Sequence, residues 1–168
     1  MENNSIILNH VQIQQKIRRI ACQIYEDNSE EKQVYIAGIA NTGFVFAKKL
    51  FDQFRKDYPV NATLLEIVLD KEDPLHVEVK GITKTSELKN KVVIVVDDVL
   101  HSGRTLMHSL KPFLEADVKK IRTVLLVDRD HKRYPVAADF VGITLSTTFK
   151  EHIVADIKKG KNDSVYLT

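Results

Sequence analysis

The chain has 168 residues, of which 43% are hydrophobic and 29% charged, and a formal net charge of +2. That length suits one domain with its own core over residues 1–168, and the ordinary composition excludes a fibrous, low-complexity or disulfide-stapled protein. The modest charge neither demands nor excludes nucleic acid, and no apolar run approaches the roughly 18 residues of a membrane span.

From the N-terminus, Met1-Glu-Asn-Asn-Ser5 lacks the basic start and apolar centre of a signal peptide. The single cysteine, Cys22, cannot pair internally, so the expected compartment is the reducing cytoplasm. Asn9 is a candidate cap for a helix with an apolar stripe of Ile13, Ile17, Ile20, Ala21 and Ile24. Lys16, Arg18 and Arg19 fall on its other face, as a solvated surface or as a basic contact surface for RNA. Cys22 borders the stripe and reads as a small core residue, since no activating base is near it in sequence.

Gln33 to Ala40 reads as a buried strand, followed by Asn41-Thr42-Gly43 and a helix with Ala47, Leu50, Phe51 and Phe54 on one face. A strand, a turn of small residues and a helix start make a candidate anion site. Ala62 to Leu69 is a further strand. Asp70 to Pro74 is a polar turn, preferred over a metal cluster of Asp70, Glu72 and Asp73, and Leu75 to Lys80 alternates like an exposed strand. Val92 to Val96 is an unbroken β-branched run, as in a strand buried on both faces, and it ends in Asp97 and Asp98. His101-Ser-Gly-Arg-Thr105 then opens a helix with Leu106, Met107, Leu110, Phe113 and Leu114 facing the core, which Pro112 should kink or shorten. Backbone N–H groups at such a helix start suit a phosphate, and the two carboxylates suit sugar hydroxyls. Ile121 to Val127 is another buried strand and leads into the polar loop Asp128 to Pro135. Ala138 to Gly142 begins the last clear strand, and residues 153–167 are mixed, with some strand character. The alternation predicts an α/β fold with a parallel sheet covered on both faces, bringing the turns after residues 40, 97 and 128 to one edge.

The run of four apolar residues, two acids and Val99-Leu-His-Ser-Gly-Arg-Thr105 resembles the ribose-phosphate loop of the type I phosphoribosyltransferases. The resemblance extends from the first helix to about residue 156. It implies that fold, with a central parallel sheet flanked by helices, a core over about 10–145 and a small hood built from the termini, the tail from about 146 to 168 included. It also implies the residue roles. Asp97 and Asp98 would hold the ribose of phosphoribosyl pyrophosphate, and Val99, Leu100, His101, Ser102, Gly103, Arg104 and Thr105 its 5′-phosphate. His101 would be a candidate proton shuttle. Asn41, Thr42 and Gly43 would form the pyrophosphate loop, where relatives carry a basic residue in place of Thr42. Residues 62–80 would form a lid hairpin, shorter than in relatives. Arg129, Phe140 and Val141 would contact the base, and Mg²⁺ would arrive on the pyrophosphate, held mainly by substrate oxygens and water.

Within the family, oxopurine-salvage enzymes share the Asp-Phe-Val-Gly around Phe140 but carry an acid and a lysine where this chain has His101 and Asp128. Asp97-Asp-Val-Leu-His-Ser-Gly-Arg-Thr105 and Val127-Asp-Arg-Asp-His-Lys-Arg-Tyr-Pro135 are instead similar to the branch of pyrimidine-operon attenuators that double as uracil phosphoribosyltransferases. The implied activity is transfer of ribose 5-phosphate to a nucleobase, uracil favoured, by a dimer or tetramer. The alternative is an RNA-binding attenuator that uses the site as a nucleotide sensor, with Lys16, Arg18, Arg19, His131, Lys132 and Arg133 as its basic face. A signalling receiver domain is set aside, because Asp97-Asp98 follows about the fourth strand and has a phosphate loop behind it.

Overall fold

The computed structural model describes residues 5–70, 72–130, 132–146, 151–158, 160 and 162–168. The first half of the chain forms β1 (Ser5–Leu8), α1 (His10–Asn28), β2 (Gln33–Ile39), α2 (Thr42–Asp57), β3 (Asn61–Leu69) and β4 (Val77–Lys80). The second half forms β5 (Val92–Leu100), α3 (Arg104–Ser109), α4 (Lys111–Glu115), β6 (Lys120–Arg129), β7 (Phe140–Leu145), β8 (Ile153–Asp156) and β9 (Ser164–Leu167).

Six strands build the main sheet in the order β4-β3-β2-β5-β6-β7, all parallel except β4, which returns antiparallel along β3. The central strands are the apolar runs of the sequence, since a parallel strand covered on both faces has no polar side to show. One face packs α1 and α2 through Ile13, Ile17, Ile20, Phe46, Leu50 and Phe54; the other carries Leu106 and Phe113 over Val93, Val95 and Leu125. The parallel order β2-β5-β6 puts the turns after residues 40, 100 and 129 on the same edge. β4 alternates as a half-covered edge strand should, with Val77 and Val79 inward and Glu78 and Lys80 outward.

Two boundaries differ from the sequence reading. β5 does not stop before its acids: pairing with β6 continues through Asp97↔Leu125, Val99↔Val127 and Leu100↔Asp128, because the partner strand still supplies ladder bonds there. The helix after residue 103 breaks in two at Leu110, with Pro112 in the first turn of α4, where its missing N–H is harmless. The break turns Leu114 out of the core to 66% exposure, whereas Phe113 is fully buried.

Both termini meet in a second sheet of order β1-β9-β8, antiparallel throughout, which is the small hood. Its inner face sets Leu8, Ile153 and Val165 into the core. A buried carboxylate anchors it: Asp163, 2% exposed, accepts from Lys49 Nζ of α2 at 2.8 Å, with His10 Nδ1 3.3 Å away. α1 is capped as expected, Asn9 Oδ1 accepting from Gln12 N and Gln12 Oε1 from Asn9 N. Its far end is tied to β6, where Asp27 accepts from Lys120 Nζ at 3.0 Å and Arg122 Nε at 2.9 Å. Cys22 is half-buried, and nearby Tyr58 stacks on Tyr25 at 4.5 Å.

Candidate functional site

The site begins where β5 carries its two acids past the level of the β2 turn. Asp97 is 4% exposed and its Oδ1 accepts from Asp98 N at 2.9 Å, so the first carboxylate is fixed while the second stands half-buried beside it. The fixed one lies against the start of α2: a Cβ on Gly43 would meet Asp97 Oδ1 at 2.5 Å. Only glycine lets the turn after β2 approach the acids this closely.

That turn holds an unusual backbone. Asn41 has φ 72° and ψ −122°, a region that L residues rarely occupy and that gathers at ligand sites. The turn is secured by Ala40 N donating to Ile67 O and Val45 N donating to Asn41 O. Asn41 is exposed and Thr42 half-buried at the helix start, so Asn41, Thr42 and Gly43 come together with Asp97 and Asp98 as expected. The first two lysines of α2 do not compensate for Thr42: Lys48 pairs with Asp52 and Lys49 with Asp163.

Beyond Leu100 the chain wraps a small cavity of about 70 Å³ lined by Asp97, Val99, Leu100, His101, Ser102, Gly103, Thr105 and Leu106. Gly103 turns it at φ 84°, and a Cβ there would meet Val136 Cγ1 at 2.6 Å. Ser102 Oγ accepts from Arg104 N at 3.2 Å, and the first N–H groups of α3 have no acceptor within their own helix. His101 lies exposed on the rim of this cavity. The Ser102 carbonyl accepts from both Arg133 N at 2.8 Å and Tyr134 N at 3.1 Å, which binds the 130–136 loop to this cradle.

Arg129 and Asp128 end β6 beside the cradle, each 8% exposed. Asp128 Oδ2 accepts from Lys132 Nζ at 3.1 Å, while Oδ1 is buried with no hydrogen-bond partner among the described residues. Phe140 and Val141 lie one strand beyond, level with the acid end of β5: Val141 pairs with Leu125, which pairs with Asp97. Phe140 opens β7 in register with Val124, four residues before Thr144 draws level with Asp128, and it packs half-buried on the α1 side of the core. The Val141 and Gly142 carbonyls accept from Arg19 Nη2 at 2.8 and 2.9 Å. Arg19 therefore ties α1 to the outermost strand, while Arg18 remains exposed and Lys16 half-exposed. His131 lies outside the described residues.

The β3–β4 turn is the polar turn read from the sequence, Asp70 Oδ1 accepting from Glu72 N at 2.9 Å. Arg104 Nη1 donates to Glu72 O at 3.3 Å, a link between hairpin and cradle that sequence gave no sign of. Beneath the hairpin lies a cleft of about 600 Å³, bounded by Leu69, Asp73, His76, Lys111 and Glu115. It is an open groove. No group of three His, Cys, Asp or Glu residues is placed to hold a metal among the described residues. The hard oxygens of Asp97 and Asp98 do suit a Mg²⁺ ion that also keeps substrate and water ligands. Among the described residues no helix is long and apolar enough to cross a membrane.

Comparison with known proteins agrees with this fold. The chain is similar to the bifunctional protein PyrR of Bacillus pumilus, 32% identical over 178 residues covering 98% of this chain and 97% of the relative. PyrR of Alkaliphilus metalliredigens is 33% identical, covering 99% and 96%. Among solved structures, a hypoxanthine-guanine phosphoribosyltransferase of Bacillus anthracis superposes with a TM-score of 0.76 at 24% identity, covering 98% and 99%. A hypoxanthine phosphoribosyltransferase of Trypanosoma cruzi does so with a TM-score of 0.75 at 18% identity, covering 98% and 97%. The family model of the phosphoribosyl transferase domain matches residues 3–158, and on that span the chain belongs to the phosphoribosyltransferase family.

Proposed function

We propose that the protein transfers ribose 5-phosphate from phosphoribosyl pyrophosphate to a nucleobase, uracil favoured, releasing pyrophosphate. The observation that carries this reading is the juxtaposition of Asp97 and Asp98 with both a donor-lined cavity and the glycine-tight turn at Gly43. In the reaction a base nitrogen displaces pyrophosphate from C1, and the bond to the leaving group loosens first, so positive charge gathers on the ribose. Asp97 and Asp98 accept from the ribose hydroxyls and favour that charge electrostatically. The segment Val99 to Thr105 holds the 5′-phosphate through backbone N–H groups and hydroxyls, and Asn41, Thr42 and Gly43 face the departing pyrophosphate. His101, exposed on the rim, is placed to exchange a proton with the base or with solvent. Fixing both substrates in one orientation supplies most of the rate. Mg²⁺ bound with the substrate would neutralise pyrophosphate charge, with Asp97 and Asp98 as its protein-side oxygens.

A panel of uracil, hypoxanthine, guanine and xanthine with phosphoribosyl pyrophosphate and Mg²⁺ tests this reading. Turnover is expected with uracil, and Asp97→Asn/Asp98→Asn should reduce kcat/KM by about a hundredfold or more. Absence of turnover on all four bases, or an unimpaired double variant, would refute it.

A second activity is favoured by the description of the PyrR relatives as bifunctional. We infer RNA binding through the basic face around exposed Arg18, Lys16 and Arg133. A gel-shift titration against the leader of its own pyrimidine operon should give an affinity that falls as salt rises, and a flat titration would end the idea. A cytoplasmic homo-oligomer completes the proposal. It is supported by the lone cysteine and by an apolar row on the outer face of the hood, where Ile6, Tyr166 and Val154 lie in register.

A further inference from the structure

The cations on the outward side of α1 are not equivalent. Arg18 is exposed and Lys16 half-exposed, whereas the guanidinium of Arg19 is engaged on both of its amino groups. Its Nη1 donates to Gln23 Oε1 at 3.1 Å, one helical turn on, and its Nη2 donates to the successive carbonyls of Val141 and Gly142 at 2.8 and 2.9 Å. β7 is the last strand of the main sheet and pairs only with β6, so carbonyls on its open side have no further ladder to join. Towards β6 the strand has no slack, since a Cβ on Gly142 would meet Leu126 O at 2.4 Å. Residues 141 and 142 are therefore pinned between β6 and one arginine of α1.

What lies level with that pin gives it a function. Asp97 of β5 pairs with Leu125 of β6, which pairs with Val141 of β7, a line across three parallel strands about 10 Å from first to last. In the proposed transfer the ribose rests on Asp97 and Asp98, and pyrophosphate leaves towards the Gly43 turn, on the β2 side. A nucleophile that displaces it enters from the opposite face of C1, so in a sheet ordered β2-β5-β6-β7 the base lies over β6 and β7. We propose that Arg19 is a positioning residue for the base. It touches no substrate; it sets the height of the Val141–Gly142 backbone against which the base rests. A guanidinium suits the task, since its planar fork supplies direction as well as charge. Misplacement of such a support is costly even when the displaced residue is remote from the chemistry. The inference rests on the transferase reading of the neighbouring acid pair.

Calorimetric titration of the full chain with UMP and with ribose 5-phosphate separates this role from a merely structural one, because the two ligands differ only at C1. Arg19→Met should weaken UMP about tenfold, equivalent to about 1.4 kcal/mol, while ribose 5-phosphate stays within about twofold of its native affinity. Arg19→Lys keeps a charged donor beside the two carbonyls and should bring UMP back to within about threefold of the native protein. Steady-state kinetics with uracil should show the same split, KM for the base rising about tenfold in Arg19→Met and KM for phosphoribosyl pyrophosphate staying within about twofold. Equal weakening of both ligands would make Arg19 a contribution to fold or charge alone and overturn the proposal. So would an unchanged UMP affinity, or a lysine no better than methionine. Native protein that binds UMP no more tightly than ribose 5-phosphate would also overturn it, since no base would then rest on β7. The expected binding pattern without turnover of uracil would instead refute the transferase reading and leave Arg19 as the support of a nucleotide site.

Discussion

Asp97 is held by a backbone N–H on one side and by the Gly43 backbone on the other, and this double restraint makes the catalytic geometry sensitive to one methyl group. Gly43→Ala places a Cβ 2.5 Å from Asp97 Oδ1 and 3.3 Å from its Cα, so either the carboxylate rotates away or α2 withdraws. A displacement of about 1 Å in a positioning group can cost a hundredfold in rate. Steady-state kinetics of Gly43→Ala should therefore show kcat/KM lower by about tenfold to a hundredfold, with Tm less affected than activity. The arrangement from Asp97 to Thr105 was legible in sequence because strand end, acid pair, turn and helix start form one continuous segment. The packing of Phe140 was not: an aromatic residue at a strand start does not announce which core cluster it rests on, here the one under α1. That Asp128 Oδ1 has no hydrogen-bond partner among the described residues could not be read at all, since it is a property of the neighbours.

At the scale of elements, the register of one strand depends on another. β5 runs past its acids because β6 is there to pair with it, and no pattern within residues 92–100 records that. The break at Pro112 follows from local chemistry and was readable, but which side of the restarted helix faces inward was not, hence the exposed Leu114. The tie between α1 and β6 has a pH signature. The Arg122 hydrogen bond, and then Lys120, hold the Asp27 carboxyl below its ordinary value of 3.8 despite the opposing effect of burial. A lowered value means that the folded state favours the carboxylate. Its contribution is present above pH 3.8 and lost as pH falls through the lower folded value. Asp27→Asn should thus destabilise the protein at pH 7 by about 1–2 kcal/mol, as for a partly exposed charged hydrogen bond. The gap between the two denaturation curves should close as pH falls below 3.8. A gap that persisted in acid would show that the amide disturbs packing instead.

For the whole molecule, alternation of strand and helix sufficed to predict the parallel sheet and the shared edge of its turns. The hood needed information from both ends of the chain, because β1 and β9 are 4-residue strands paired across almost the entire sequence. Its hold on the core passes through Asp163. Replacing it with leucine strands Lys49 and His10 beside an apolar side chain, and loss of one partner of a buried pair costs about 3–5 kcal/mol. Asp163→Leu should lower stability on that order, and hydrogen exchange should quicken first in β1, β8 and β9; uniform quickening across the main sheet would show that the hood is no separate unit. The Ser102 carbonyl has a consequence at this same scale. By accepting from Arg133 and Tyr134 it ties that part of the chain to the turn before α3. Occupancy at one end of the crevice then carries a free-energy linkage to the other, and linkage is reciprocal. A 5′-phosphate should raise affinity for the base by the same factor as the base raises affinity for the phosphate. A nucleoside or a sugar phosphate alone would then report only a fraction of what the intact nucleotide gains.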